Sequence, residues 1–400
     1  MGKIAGTTNF NGINGCLKCT IEGEYSYVSR TVTFPKLNCV LRTDEKFRRK
    51  EYGRHHKEDS PLPKIPGLDM INDFVVADSL HLLDLGIMKR CLVGWRDGTL
   101  GFEAKMCASD IAKLTNAILR TKLPSEIHRS LRGMDCLAFW KGSEWRAFLN
   151  YVGIVVLKDY LSSHVYNHFL VLFVAVTICS CSIYTEYLSL AQHMFECYII
   201  EFKNIYGAEC VTSNVHNLEH IVGDVIRFGP LPSISSYPFE NALFQIKWQL
   251  RHGQNSLEQV ANRITEKSSL PLKIQHAEYP AIKRIGNIVQ CYIKSDFFLS
   301  TNFKNSWFLT KTKEIARMTS ACMNENRKTI ITARLVQKPE LFFPKPIRSS
   351  YLHIYKVNKL YFNSENSYKL DDVFCKLVAI RNKGNEFVFT PLQHTLPKVK

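Results

Sequence analysis

The spacing of apolar positions divides the chain into three textures. From residue 1 to about 68 no helical period is sustained. Short stretches broken by Gly, Asn and Pro predict strands and loops, and SPLPKIPG is an extended connector, because each Pro pushes the residue before it out of the helical region. NDFVVADSLHLLDLGIMKRCLVGW then turns strongly apolar: Phe74 to Val76 suits a buried strand, and Ser79 to Trp95 a helix with apolar residues at three and four spacing. From Ser109 to about Tyr206 the pattern is helical. SDIAKLTNAILRTKL starts on a Ser N-cap and puts Ile111, Leu114, Ile118 and Leu119 on one face. WKGSEWRAFLNYVGIVVLKDYL and YTEYLSLAQHMFECYIIEFKNIYG are further helices, the second stopped by Gly207. SNVHNLEHIVGDVIRFG is a helix closed by Gly229, and FENALFQIKWQLRHG is the last helix of the lobe. Beyond Lys267, β-branched and aromatic runs between turn residues (IGNIVQCYIKSDFFLS, TIITARLVQ, HIYKVNKLYF, CKLVAIRNKGNEFVFTPL) predict a separate, mostly β lobe.

One run needs a membrane test. Phe169 to Ile178 (FLVLFVAVTI) is very apolar but falls short of the roughly 20 residues needed to span a bilayer, and Tyr184, Thr185 and Glu186 follow. A buried core helix is expected, and no membrane partner. The chain opens on polar, Gly-rich residues without an apolar stretch, so no signal peptide is read there.

Composition sharpens the picture in two ways. Apolar residues make up 46% of the 400 and charged residues 22%, which permits a sizeable core and excludes disorder as the default. The formal net charge is +16, with Lys and Arg spread along the chain rather than packed into one tail, which favours nucleic acid over a membrane surface. The thirteen cysteines are an odd count with no even framework, so reduced thiols in the nucleus or cytosol are expected.

Four groups of residues can carry chemistry. Cys16-Leu17-Lys18-Cys19 is a CxxC after NGINGC, whose glycines permit the tight turn that faces two thiolates to one ion. Alone it is equally a redox pair or two ordinary cysteines. His216 and His220, at i and i+4, share one helix face; alone they are surface histidines, but with Cys16 and Cys19 they make a Cys2His2 set for a closed structural Zn2+ site. His55-His56 is a rival, ranked lower because adjacent side chains diverge. Asp78, at the junction of strand and helix with His81 three residues on, is a metal ligand or simply an N-cap; Asp84 is its weaker rival. Glu240, after Pro238 and Phe239, is a first-turn Glu that complements the helix dipole, or a late carboxylate meeting Asp78 on a divalent ion. Two-metal phosphoryl transfer needs clustered carboxylates that hold two Mg2+ ions about 4 Å apart.

In order, these stretches resemble CACTA/EnSpm-type DNA transposases. NGINGCLKCTIEGEY is similar to the family's Gly-rich CxxC segment, followed by VSRTVTFP and LRTDEKFR. LPKIPGLDMINDFVVADSLHLLDLGIMKRCLVGW resembles its D-x-x-H segment, and LPSEIHRSLRGMDCLAFWKGSEWRAFLNYVGIVVLKDYLSSHVYNHFLVL its helical insertion. SNVHNLEHIVGDVIRFGPLPSISSYPFENALFQIKWQLRHG resembles its His-pair helix and catalytic glutamate. The match runs over roughly residues 10 to 260; each motif alone is unspecific, the ordered set is not.

The resemblance implies an α/β fold with a large all-helical insertion: a partial RNase H-like (DDE) core with the CxxC segment over 1–95, the insertion over 96–235, a final catalytic-core helix over 236–267 and the β-rich C-terminal domain over 268–400. It assigns Asp78 and Glu240 to acidic positions, His81 to D-x-x-H, and Cys16, Cys19, His216 and His220 to structural Zn2+. The family's first catalytic aspartate sits just before the Gly-rich segment, and MGKIAGTTNF holds no Asp or Glu. The expectation is therefore a nuclear, transposase-derived pseudoenzyme, inactive because such sites act as units, that retains DNA-binding or structural capacity. The alternative is an active metal-dependent DNA endonuclease and strand-transferase; any such activity would need Mg2+ or Mn2+. A zinc-stabilised interaction scaffold is the reading from another class, and assembly into homo-oligomers is left open.

Overall fold

The computed structural model describes residues 2–101, 103–251, 253–268 and 278–399. The N-terminal segment is largely irregular. Its one sheet is an antiparallel hairpin of β1 (Glu24–Ser26) and β2 (Thr31–Thr33). The strand expected at Phe74 to Val76 does not form. The amides of Val76 and Ala77 donate instead to Asp224 Oδ2, at 2.7 and 3.0 Å, so a carboxylate takes the place of a neighbouring strand. Among the described residues up to 268, β1–β2 is the only sheet.

The helix expected from Ser79 is present but begins as a π-helix, Ser79–Met88, before tightening into the α-helix Lys89–Asp97, which Gly98 ends with φ of 81°. Gly86 lies where this helix meets helix Ser213–Asn217: an added Cβ would lie 2.8 Å from the Asn214 amide nitrogen. The close approach fixes the start of the helix against the His-pair helix. Helix Ala108–Arg120 buries Leu114 and Ile118 as expected, but Leu119 is exposed, and Cys107 rather than Ser109 precedes the first turn. Ser163–Ser180 is long and apolar enough, by length and composition, to cross a membrane, yet 72% of it is buried within the protein. It packs on Leu188–Tyr206, which Gly207 ends. A helix apolar all round is a core helix when protein surrounds it.

After Tyr237–Gln249 the chain forms one more helix, Ser256–Ser268, that the sequence pattern did not disclose. Neither buries a residue: Phe239, Phe244 and Trp248 all stand at the surface. The expected start of the β lobe borders residues 269–277, which lie outside the described residues.

The lobe is mostly β, with short 3-10 turns between strands. A three-stranded sheet joins β3 (Ala281–Ile285), β4 (Ile288–Lys294) and β5 (Phe297–Ser300). An eight-stranded antiparallel sheet uses β6 (Trp307–Thr310), β7 (Ile315–Met323), β8 (Thr329–Val336), β9 (Glu340–Leu341), β10 (Tyr355–Val357), β11 (Phe362–Lys369), β12 (Val373–Arg381) and β13 (Phe387–Pro391), in the order β11-β8-β7-β6-β12-β13-β10-β9. β8 alternates buried and open positions, whereas β12 is buried over six successive residues, so both of its faces are covered. One hydrophobic core runs from the central helices through Trp307, Leu377 and Phe389. At the junction Lys376 Nζ lies 2.8 Å from both Glu126 oxygens.

His168 shows how tightly the helices close. Its ring stacks on Tyr198 with centroids 4.0 Å apart, its Nε2 donates to the Tyr198 carbonyl at 3.0 Å, and Nδ1 has no partner. Burial pushes its pKa from 6.5 down to about 4. The unfolded chain takes up a proton below pH 6.5 and the folded one only near 4, so stability present above 6.5 is lost as pH falls through this window, by about 3 kcal/mol. Urea midpoints followed across the window should fall more steeply in the wild type than in His168→Phe; parallel curves would refute this account of His168.

Candidate metal centre and carboxylate site

The CxxC turn is built by backbone crowding. A Cβ added at Gly15 would sit 2.2 Å from the Asn9 carbonyl oxygen, so only glycine lets the loop fold this tightly before Cys16. His55 does not join the ligands. Its Nδ1 holds the Asn14 carbonyl at 2.7 Å, and burial lowers its pKa to about 4; it braces the loop as a neutral ring.

The turn meets the His pair. Cys16 Sγ lies 3.6 Å from Cys19 Sγ, 3.3 Å from His216 Nε2 and 3.4 Å from His220 Nε2; Cys19 Sγ lies 3.4 Å from His216 Nε2, and the two Nε2 atoms are 3.3 Å apart. A tetrahedral ion with Zn–S near 2.3 Å and Zn–N near 2.0 Å needs edges of about 3.3 to 3.8 Å. The four ligand atoms fit that figure, and all four residues are buried. This is a buried Cys2His2 group able to hold a zinc ion. The thiols carry the same message. Hydrogen bonding from Cys19, then from His216 and His220, lowers the Cys16 pKa against its burial, whereas the Cys16 partner and burial raise that of Cys19. The pair thus keeps one proton, on Cys19, and a cation between the two sulfurs would let both ionise.

Support around the ligands is dense. Phe34 stacks on His216 with centroids 5.7 Å apart, and the Glu219 carboxylate lies 3.6 Å from His216 Nδ1 while its other oxygen accepts the Asn38 amide at 2.7 Å. Lys18, inside the CxxC, reaches Asp224 Oδ1 at 2.8 Å and the Ile71 carbonyl at 3.0 Å. Asp224 lies four residues after His220 and also receives the Val76 and Ala77 amides, just ahead of Asp78.

The carboxylate site follows from that placement. Asp78 caps its helix, with Oδ1 accepting the Leu80 amide at 3.2 Å and the Ser236 amide at 2.8 Å. Its Oδ2 accepts the Ser236 hydroxyl at 2.7 Å and lies 2.5 Å from His81 Nδ1. Burial opposes the charge, but the Ser236 donors and His81 outweigh it and hold Asp78 below the usual carboxylate range. The cap and the site residue are thus the same carboxylate. His81 turns its Nε2 to Glu240 Oε1, 3.8 Å away, and both side chains are more than half exposed. Asp78, His81 and Glu240 are therefore gathered at one surface. They are not drawn as close as the Cys2His2 atoms, the one group among the described residues found within 4.8 Å of one another. Asp84 does not compete: it is buried, accepts the Tyr237 hydroxyl at 2.8 Å, and burial raises its pKa to about 8.

Sequence reasoning missed Lys18, Asp224, Ser236 and Tyr237. Lys18 sits inside a motif read only for its cysteines, and Asp224 and Ser236 are ordinary polar residues until the fold shows which buried donors and acceptors they meet. Removing the Lys18 ammonium leaves Asp224 buried without its ion-pair partner. Lys18→Met should cost about 3 to 5 kcal/mol in urea unfolding, and Lys18→Met with Asp224→Asn should recover part of it; a cost below about 1 kcal/mol would place the pair among weak surface contacts.

A family model described as a domain of unknown function (DUF8592) matches residues 275–392. No curated protein and no solved structure matches the chain. The match covers the β lobe and leaves out the metal centre and the carboxylate site. What the chain shares with that family is the lobe of strands β3 to β13.

Proposed function

We propose that this chain is a transposase-derived nuclear protein that holds one structural Zn2+ and binds duplex DNA without cutting it. One observation carries the proposal: motifs that resemble those of CACTA-type transposases lie far apart in sequence, and the fold gathers them into two sites, Cys16 and Cys19 on His216 and His220, and Asp78 and His81 beside Glu240. Under it, residues 1–95 and 236–267 belong to a partial RNase H-like core into which 96–235 is inserted. The net charge of +16 supports a polyanionic partner.

The zinc site is closed, since four protein ligands leave no position for water or substrate, so its role is structural. The absence of cutting rests on Asp78. Each of its oxygens already has two polar partners. Binding Mg2+ or Mn2+ would cost it His81 or Ser236, and the neutral Asp84 offers no third carboxylate. A two-metal mechanism needs clustered carboxylates free to bridge both ions.

Purified protein should contain about one zinc per chain by elemental analysis, as a four-ligand site demands. Cys16→Ser and His220→Ala should lower that content, and chelation should lower the unfolding temperature. Metal-free wild-type protein with an unchanged midpoint would remove the zinc site. With Mn2+ present, supercoiled DNA should remain intact; nicking that disappears in Glu240→Gln would establish the active endonuclease instead. Duplex affinity should fall by orders of magnitude between about 50 and 200 mM salt, because neutralised phosphates release counterions. Affinity flat over that range would favour a protein-interaction scaffold.

A further inference from the structure

A cleft of about 680 Å³ opens where the helical body meets the β lobe, between the loop that follows helix Ala108–Arg120, helix Gly142–Ala147 and the chain after β13. Its cationic side chains are Arg129 and Arg146, joined by the imidazoles of His128 and His394. Its one carboxylate, Glu126, is already taken: both oxygens lie 2.8 Å from Lys376 Nζ. The cleft therefore presents uncompensated positive charge, without an acidic group free to neutralise it.

Arg146 is the residue that makes this a site rather than a basic patch. It is half-buried, and among the described residues its guanidinium has no hydrogen bond and no ion pair. It lies 5.5 Å over the ring of Tyr237. A guanidinium carries five N–H donors in a planar fork that fits a phosphate, and holding it half-buried without an acceptor is unfavourable unless a ligand supplies one. Asp84 behind Tyr237 is no such acceptor, being buried, bonded to the Tyr237 hydroxyl and kept largely protonated by burial. Tyr237 also ties the cleft to the carboxylate site, since its neighbour Ser236 binds Asp78 and Glu240 lies three residues further on.

We infer that this cleft binds the phosphodiester backbone of duplex DNA, with Arg146 and Arg129 each contacting a phosphate, and leads the strand past Tyr237 toward Asp78 and Glu240. The inference rests on the DNA-binding proposal above and adds where the backbone lies. Contacts of this kind position a duplex and carry no sequence information.

The test compares the wild-type full chain with Arg129→Gln/Arg146→Gln and with Arg129→Lys/Arg146→Lys, by fluorescence anisotropy on a short labelled duplex over a range of salt. Each lost phosphate contact should reduce the slope of log K against log salt by about 0.9, so the Gln variant should lose nearly two from the slope and bind roughly tenfold or more weakly, uniformly across sequences. The Lys variant should keep most of the slope. Zinc content and thermal midpoint, measured alongside, should match the wild type in both. A Gln variant with wild-type slope and affinity overturns the cleft while leaving the DNA-binding proposal intact. A wild type without salt-dependent binding overturns both. A second arm separates backbone from free phosphate: if inorganic phosphate or a nucleotide raises the wild-type melting temperature but not that of the Gln variant, while duplex binding is the same in both, the cleft takes small phosphate esters and the backbone assignment fails.

Discussion

The meeting of the CxxC turn with the His pair is the contact on which the N-terminal segment depends. That segment has one hairpin of two three-residue strands and two small clusters of four buried apolar residues each, separate from the main core. Clusters of that size bury too little surface to offset the entropy of ordering some seventy residues, by the rule that small cores need a metal, a disulfide or a partner. Cys16 and Cys19 belong to one of those clusters, and with Phe34 they pack it onto the helix that carries His216. An ion bound between them would join the irregular segment to the rigid one, and its binding free energy would become folding free energy.

The same contact sets the geometry of the carboxylate site. Lys18 extends from the CxxC turn to Asp224, on the helix that starts just after His220, and Asp224 holds the amides of Val76 and Ala77. Asp78 is the next residue. From there Ser236 and His81 connect Asp78 to the first turn of the helix that bears Glu240. Asp78 is thus positioned by contacts that start at the CxxC turn, with no sheet behind it among the described residues. Those bonds also occupy it: the arrangement that places the carboxylate most firmly leaves it least free to bind another ion.

Much of this was legible in the sequence, for identifiable reasons. Ala108–Arg120 and Ile221–Phe228 carry strong apolar periodicity, Ser163–Ser180 an unbroken apolar run, and glycines at 98, 207 and 229 end helices where the pattern stops. The Cys2His2 set was legible because metal chemistry restricts residue type and spacing more than packing does. Phe74 to Val76 failed for the opposite reason. Apolar character says that a segment is buried but not what its amides meet, and here the partner is a carboxylate from a helix far along the chain. The apolar positions of Tyr237–Gln249 show the converse limit. Phe239, Leu243, Phe244 and Trp248 are large apolar side chains, yet all four are exposed among the described residues. A pattern encodes the tendency to be buried, while burial itself needs a partner surface.

Lys376 shows how a structural fixture can decide the electrostatics of a neighbouring surface. It is wholly buried on β12, a strand otherwise apolar at its centre, and burial pulls its pKa to about 8 in spite of Glu126. It therefore remains mostly protonated near neutrality, and its ammonium is satisfied by Glu126, by the Phe298 carbonyl at 2.8 Å and by Asn305 Oδ1 at 3.1 Å. A buried ion pair is seldom a net gain in stability over an apolar pair of the same shape. Stability alone thus gives little reason for a lysine there. Its partners give a better one. Glu126 and Asn305 belong to different lobes, and Asn305 also bonds Ser125 beside Glu126, so the pair fixes how the β lobe seats on the helices. By claiming both oxygens of Glu126, Lys376 also removes the one negative charge that would otherwise face Arg146 and Arg129. An apolar residue in its place would preserve the packing volume and leave an unpaired carboxylate in the cleft, offsetting one of the two arginine charges. The join between the lobes and the strength of the positive charge beside it both depend on one side chain.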